Sequence, residues 1–171
     1  MSLNFKAETA KELIFEHIAE YLHLQNLHIN KQDNTRPWGG FFVIDENEAE
    51  KFIDLYFPHL TKEALNISGK LSPKILVVAP GKRLSWQYHH RRAEIWKLIG
   101  GVAAVVTSDS DEEKETRQLN IGDIVQLKQG ERHRLIGLED WGIVAEIWQH
   151  TNADDPSNED DIIRVQDDFG R

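Results

Sequence analysis

Seven short apolar runs rich in β-branched and aromatic residues constrain this chain most. They lie at Ile75–Ala79, Leu84–His89, Glu94–Ile99, Ala103–Thr107, Ile121–Leu127, His133–Ile136 and Ile143–Trp148. The breaks between them carry turn residues: Pro80-Gly81, Gly100-Gly101, Ser108–Glu115, Gln129-Gly130 and Glu139–Gly142. Each run is too short for a typical helix and long enough for a strand. Many short strands at near-regular spacing predict an antiparallel sandwich or barrel.

The part before residue 69 reads differently. From Ala10, the apolar residues Leu13, Ile14, Ile18, Tyr21 and Leu22 recur at steps of three and four, a helical stripe. The polar stretch Asn26–Asn34 reads as a connection, and Phe41–Ile44 as a short strand. Asp45 with Glu48 three residues later resembles a capping pair opening a second helix, Asn47–Phe57, which Pro58 ends. Thr61–Leu65 can add a further turn. The expected organisation is one structural domain, a helical lead-in over 1–68 packed on a barrel over 69–171. The acidic run Asp109–Glu113 is expected at a solvated hairpin tip, and Asp154–Asp161 as a surface loop without the ligand spacing of a calcium-binding hand.

Composition bounds the chemistry. With 171 residues the chain can bury a core without staples, and its formal net charge of -9 disfavours nucleic acid or an anionic membrane as a partner. A local basic pocket for a small phosphorylated ligand remains compatible with that charge. There is no cysteine, so a metal would be held by nitrogen and oxygen donors. No signal-like or membrane-spanning run is present, and a cytoplasmic location is expected.

The chemistry concentrates between Pro80 and Glu94. On a strand Gln87 and His89 share a face, and Glu94 follows a turn on a strand that can return antiparallel. Glu94 sits among Ile95, Trp96, Leu98 and Ile99, where an uncompensated buried carboxylate would be costly. His133, after the turn at Gly130, can enter the same cavity. Gln87, His89, Glu94 and His133 are therefore the expected metal ligands, suited to Zn²⁺ with Mn, Fe, Co or Ni as alternatives.

These residues resemble the two cupin motifs. Gly81, Gln87, His89, Glu94 and Gly101 match the first, with glutamine for its first histidine. Gly122, Gly130 and His133 match the second, where Lys128 and Gly137 replace its proline and asparagine. The resemblance is closer to the cupin domain of type II mannose-6-phosphate isomerases, found fused to mannose-1-phosphate guanylyltransferases. It rests on Arg36-Pro37-Trp38-Gly39, Lys74, Pro80-Gly81, Leu84 to Gln87, His89-His90, Arg92 to Trp96, His133-Arg134 and Asp160 to Arg171, and covers roughly 36–171. Glutamine at the first ligand position is itself a trait of that family. Arg91 and Ile95 depart from it, standing where histidine is common, and Asp45 to about Ser72 is an insertion.

That resemblance implies a jelly-roll cupin barrel with N-terminal helices, a divalent metal, and aldose–ketose isomerisation of a sugar phosphate of the mannose 6-phosphate/fructose 6-phosphate type. Lys74, Glu94 and Arg171 are then the expected catalytic residues, with Lys74 a proton shuttle if burial lowers its pKa. Arg36, Arg92, Arg164 and Arg171 are the expected substrate contacts, because a guanidinium matches a phosphate bidentately. The general base stays unassigned. A homodimer is expected from the exposed edges of a small barrel. No glycine-rich nucleotidyltransferase segment is seen, so guanylyltransferase activity is not expected. Two other classes stay open, a sugar- or sugar-phosphate-binding cupin without turnover and an iron-dependent oxygenase.

Overall fold

The computed structural model describes residues 1–65 and 70–171. The first helix, α1 (Lys11–Leu24), is followed by strands β1 (Ile29–Asp33) and β2 (Gly39–Ile44). A 3-10 turn at Glu46–Glu48 leads into α2 (Ala49–Tyr56), and α3 (Lys62–Leu65) follows. The remaining strands are β3 (Lys74–Val78), β4 (Trp86–Tyr88), β5 (Arg92–Ser108), β6 (Arg117–Leu119), β7 (Ile124–Leu127), β8 (Arg132–His150) and β9 (Ile163–Gln166).

Every pairing is antiparallel, and two long strands organise the rest. The first half of β5 pairs with the last half of β8, from Arg92↔His150 to Leu98↔Val144. There β3 lines the other side of β8, and β7 the other side of β5. The second half of β5 pairs with the start of β8, from Ala103↔Gly137 to Ser108↔Arg132, flanked by β4 and β6. Both strands thus run through two sheet halves, which face each other across the interior. The result is the expected mostly β, cupin-like architecture. It is not a closed barrel, since β1 and β9 end the strand path without pairing to each other.

Glycine makes the bend between the halves. The break expected at Gly100-Gly101 is instead a bulge inside β5, with register shifts on both sides of the pair. Gly101 adopts φ 68°, and a Cβ there would stand 1.8 Å from the Trp141 carbonyl oxygen. Only glycine allows both the left-handed backbone and that approach. The break expected at Glu139–Gly142 is likewise continuous strand within β8. Two predicted runs on each side therefore merge into one strand.

The helices cover the outer face of the first half. Ile14, Phe15, Ile18 and Leu22 of α1 and Phe52 and Ile53 of α2 pack with Phe42, Ile75, Val77, Ile143, Ala145 and Ile147. Phe15 stacks on Phe42 with ring centroids 5.0 Å apart. Leu13, placed on the stripe by spacing, is instead 58% exposed, and Phe15 takes the buried position. The capping pair is only half formed. Asp45 accepts from the Asn47 amide at 3.0 Å, whereas the Glu48 carboxylate turns to the His28 amide at 2.7 Å.

The polar stretch Asn26–Asn34 contains β1, an edge strand whose side chains mostly face solvent, so no apolar alternation marks it. β6 and β9 are also short, exposed edge segments outside the predicted set. The boundary expected at 68/69 lies outside the described residues. Asp109–Glu113 forms an exposed loop as expected. The 154–161 segment is not wholly surface, because Ser157 and Asp161 are buried. No helix among the described residues is long and apolar enough to cross a membrane.

Candidate metal centre

The bend brings three sequence-distant side chains together between the sheet halves. Gln87 on β4 and His133 on β8 are direct cross-strand partners, His89 follows β4, and Glu94 projects from β5. The His89 Nε2 atom lies 3.1 Å from Glu94 Oε1, and His133 Nε2 lies 3.5 Å from Glu94 Oε2. Ligand atoms of His89, Glu94 and His133 all fall within 4.8 Å of one another, and all three residues are buried.

Hydrogen bonds aim both imidazoles inward. His89 Nδ1 donates to the Asp161 carbonyl at 2.7 Å, and His133 Nδ1 donates to the Glu131 carbonyl at 2.9 Å. A carbonyl only accepts, so Nδ1 carries the proton and each Nε2 presents its lone pair to the cluster. The buried His133 Nε2 has no hydrogen-bond partner among the described residues. Burial pushes the His133 pKa down to about 4; Glu94 opposes this and His89 reinforces it. Burial alone would raise the Glu94 pKa, but His89, Arg92 and His133 outweigh it and hold the carboxyl well below its usual range. An ionised carboxylate with two inward lone pairs fits a divalent first-row cation.

Gln87 lies beside the cluster. Its Oε1 accepts from Ser85 Oγ at 2.5 Å, leaving Nε2 toward His89 Nε2 at 3.5 Å. An amide nitrogen is a donor and cannot ligate a cation. A half-turn of the amide would bring the oxygen inward and let Ser85 Oγ accept instead.

Glu94 also meets Arg92, whose Nε donates to Oε1 at 2.9 Å. The Arg92 guanidinium stacks 3.6 Å from the Trp148 ring centroid, and its Nη1 donates to Ser157 Oγ at 2.8 Å. Asp161 completes this support, accepting from the His90 and Arg91 amides and from Ser157 Oγ. The C-terminal segment thus fixes both His89 and Arg92. No local sequence pattern marks Ser157, and the C-terminal motif that includes Asp161 does not reveal its role, because both depend on contacts some 65 to 72 positions away.

A cavity of about 430 Å³ opens onto the cluster, within the range of small-molecule sites. Its lining includes Gln87, Arg92 and Glu94, and also Lys74, Arg36, Arg164 and Arg171. All the residues expected to meet substrate therefore share one cavity. Lys74 is buried, ion-paired with Glu159 and 4.0 Å from the Trp148 ring centroid. Arg36 pairs with Asp33, and Arg171 pairs with Asp167 through two bonds of 2.9 and 3.1 Å. Arg164 has no ion-pair partner among the described residues. Desolvation lowers its pKa first, then the Arg171 charge, with Asp167 opposing and Arg36 adding a smaller push. The cavity also takes in Glu146, absent from the expected set although it interrupts the apolar run Ile143–Trp148 just as Glu94 interrupts its own.

The chain is similar to known proteins in sequence and in fold. The mannose-1-phosphate guanylyltransferase 2 of Escherichia coli O157:H7 is 28% identical over 152 residues, covering 88% of this chain and 26% of that protein. The alginate biosynthesis protein AlgA of Pseudomonas aeruginosa is 29% identical over 128 residues, 73% of this chain and 24% of that one. The chain therefore spans about a quarter of these relatives' length. Among solved structures, the capsular polysaccharide assembling protein CapF from Staphylococcus aureus superposes with a TM-score of 0.51 at 16% identity, covering 82% of this chain and 34% of that one. That likeness concerns the fold alone. The model of the mannose-6-phosphate isomerase C-terminal family matches residues 45–167, including the cluster and most of the cavity lining, and the chain belongs to that family.

Proposed function

We propose that the chain is a metal-dependent isomerase of a phosphorylated hexose, interconverting an aldose and a ketose of the mannose 6-phosphate/fructose 6-phosphate type. One observation carries this reading: Glu94, the carboxylate of the bis-imidazole–carboxylate cluster, lines the same cavity as Arg36, Arg164 and Arg171, and Arg164 has no anionic partner among the described residues. A phosphate on Arg36, Arg164 and Arg171 would leave the sugar's other end free to reach the cluster. His89, Glu94 and His133 would hold the cation, with Gln87 a fourth ligand once its amide turns. Zinc is the proposed ion. When bound, it supplies positive charge against the oxygens of an enediolate.

The chain's own groups do the positioning. Trp148 offers an aromatic wall, and Arg92 stacked on it keeps Glu94 oriented through the 2.9 Å bond. Lys74, beside the same indole, would donate to a substrate hydroxyl once Glu159 gives way.

A second reading is a sugar-phosphate-binding module without turnover. The Arg92 guanidinium favours it, because its Nη2 already lies 3.3 Å from His89 Nε2 while its Nε donates to Glu94. Elemental analysis of the purified chain, with an isomerase assay on phosphorylated and unphosphorylated hexoses, separates the two. The expected result is bound zinc and turnover of the phosphorylated sugar alone. Arg164→Ala should raise KM on the order of tenfold with kcat little changed, since a phosphate anchor binds ground and transition states alike. Binding without interconversion of any hexose phosphate would overturn the isomerase reading and leave the binding module.

A further inference from the structure

A second buried carboxyl group faces the cavity and has no part in the chemistry above. Glu146 is 4% exposed, and its strand position pairs with Lys74 of β3 and with Trp96 of β5. Its Oε1 accepts from Trp148 Nε1 at 2.9 Å, and its Oε2 accepts from Trp96 Nε1 at 2.7 Å. The nearby cations are engaged elsewhere, Lys74 with Glu159 and Arg92 with Glu94. A buried carboxylate kept only for structure is normally neutralised by a cation. Here two indole donors hold the group instead. Each oxygen keeps its N–H bond whether the carboxyl is charged or neutral, so a proton can come and go without the side chain moving.

We infer that Glu146 is the acid–base group that carries the proton between the two reacting carbons of the bound hexose phosphate. This rests on the isomerase reading. In the carboxylate form Glu146 takes the proton from C2 of the open-chain aldose. The C2–H electron pair becomes the C1=C2 bond, the carbonyl pair moves onto O1, and O1 takes a proton, giving an enediol. The neutral carboxyl then returns its proton to C1 as O2 loses one and the C2 carbonyl forms. Overall nothing is oxidised or reduced, and the carboxylate is restored.

The alternatives in the cavity are less suited. Both Glu94 oxygens are turned to the imidazoles and Arg92, and Lys74 is held by Glu159. Burial raises the Glu146 pKa above the ordinary carboxylate range; Glu94 adds to this, while Lys74, Arg92 and the Trp96 bond pull against it. Such a carboxylate is a stronger base than an ordinary one.

The test is Glu146→Gln in the full metal-loaded chain, read by kcat, KM, metal content and loss of deuterium from C2-labelled mannose 6-phosphate to solvent. Glutamine keeps the shape and can still accept an indole N–H. Expected are a kcat loss of at least about 100-fold, an equal loss of label exchange, KM within about threefold, and unchanged metal. Glu146→Asp, which keeps a carboxyl but shortens its reach, should fall between the two. Wild-type turnover and exchange in Glu146→Gln would overturn the inference and leave the isomerase reading intact. If the glutamine variant fails to fold, full activity in Glu146→Asp overturns the inference, and a kcat loss at unchanged KM supports it. Absence of both turnover and exchange in the wild type would overturn the isomerase reading, and this inference with it.

Discussion

The two faces of one sheet half obey opposite rules. On β3 and β8, residues Ile75, Val77, Ile143, Ala145 and Ile147 point outward into an apolar cluster that includes the buried side chains of α1 and α2. Their alternates Lys74, Glu146, Trp148 and His150 point the other way, and are just as buried. Burial is therefore shared, and chemistry is not. The outer face spends its alternation on packing, while the inner face holds charges that cost stability unless paired or hydrogen-bonded. A strand buried on both faces normally reads as a continuous apolar run. A charged residue at one parity of such a run marks the face that binds something.

The sharpest way to break this contrast is to disturb each face by itself. Phe15→Ala removes the ring stacked on Phe42 at 5.0 Å in the helix-covered core. It should cost about 3–5 kcal/mol of unfolding free energy, seen as a lowered denaturant midpoint, while the folded fraction keeps its metal content. On the inner face, His133→Ala should do the reverse. Deleting a proposed ligand should weaken binding of the proposed zinc ion more than about 100-fold, beyond the effect of losing an outer hydrogen-bond partner. The metal-free protein should lose little stability, because the imidazole it loses has an unpartnered buried Nε2. Equal losses of stability and metal in both variants would show that the faces are not independent.

How far the sequence carried this reading follows from the same contrast. Strands with strong apolar runs were legible, and so were His89, Glu94 and His133, whose spacing survives in a single segment plus one later turn. The edge strands β1, β6 and β9 were not, since solvent-facing side chains need no apolar pattern. The long β5 and β8 read as two strands each, because a glycine bulge and a turn carry the same residues. Glu146 was legible by the argument already applied to Glu94, the cost of a carboxyl in an apolar run. Ser157 was not, and Asp161 was legible only as part of the C-terminal motif and not in its role, since an acidic loop residue looks alike whether it faces water or supports a distant histidine.

The smallest expected effect lies at the rim, where the two regimes meet. His150 is the last residue of β8, on the inner face; its Nδ1 accepts from the Ser157 amide at 2.9 Å and its Nε2 lies 3.3 Å from Ser72 Oγ. Burial lowers its pKa to about 4, with Lys70 and Arg92 adding and Asp161 opposing. The unfolded chain binds this proton near pH 6.5, so the native state is favoured above that value. That contribution is lost as pH falls through 6.5 toward 4. Protonation would also set an N–H against the Ser157 amide and loosen the segment that holds Arg92. His150→Asn, which accepts the same amide bond and cannot titrate, should be less stable than wild type at pH 7. The gap should narrow by on the order of 1 kcal/mol by pH 5, measured as the difference in denaturant midpoints. A gap constant with pH would mean that His150 is not kept neutral by its surroundings, and that the inner face tolerates charge at its rim as readily as at its centre.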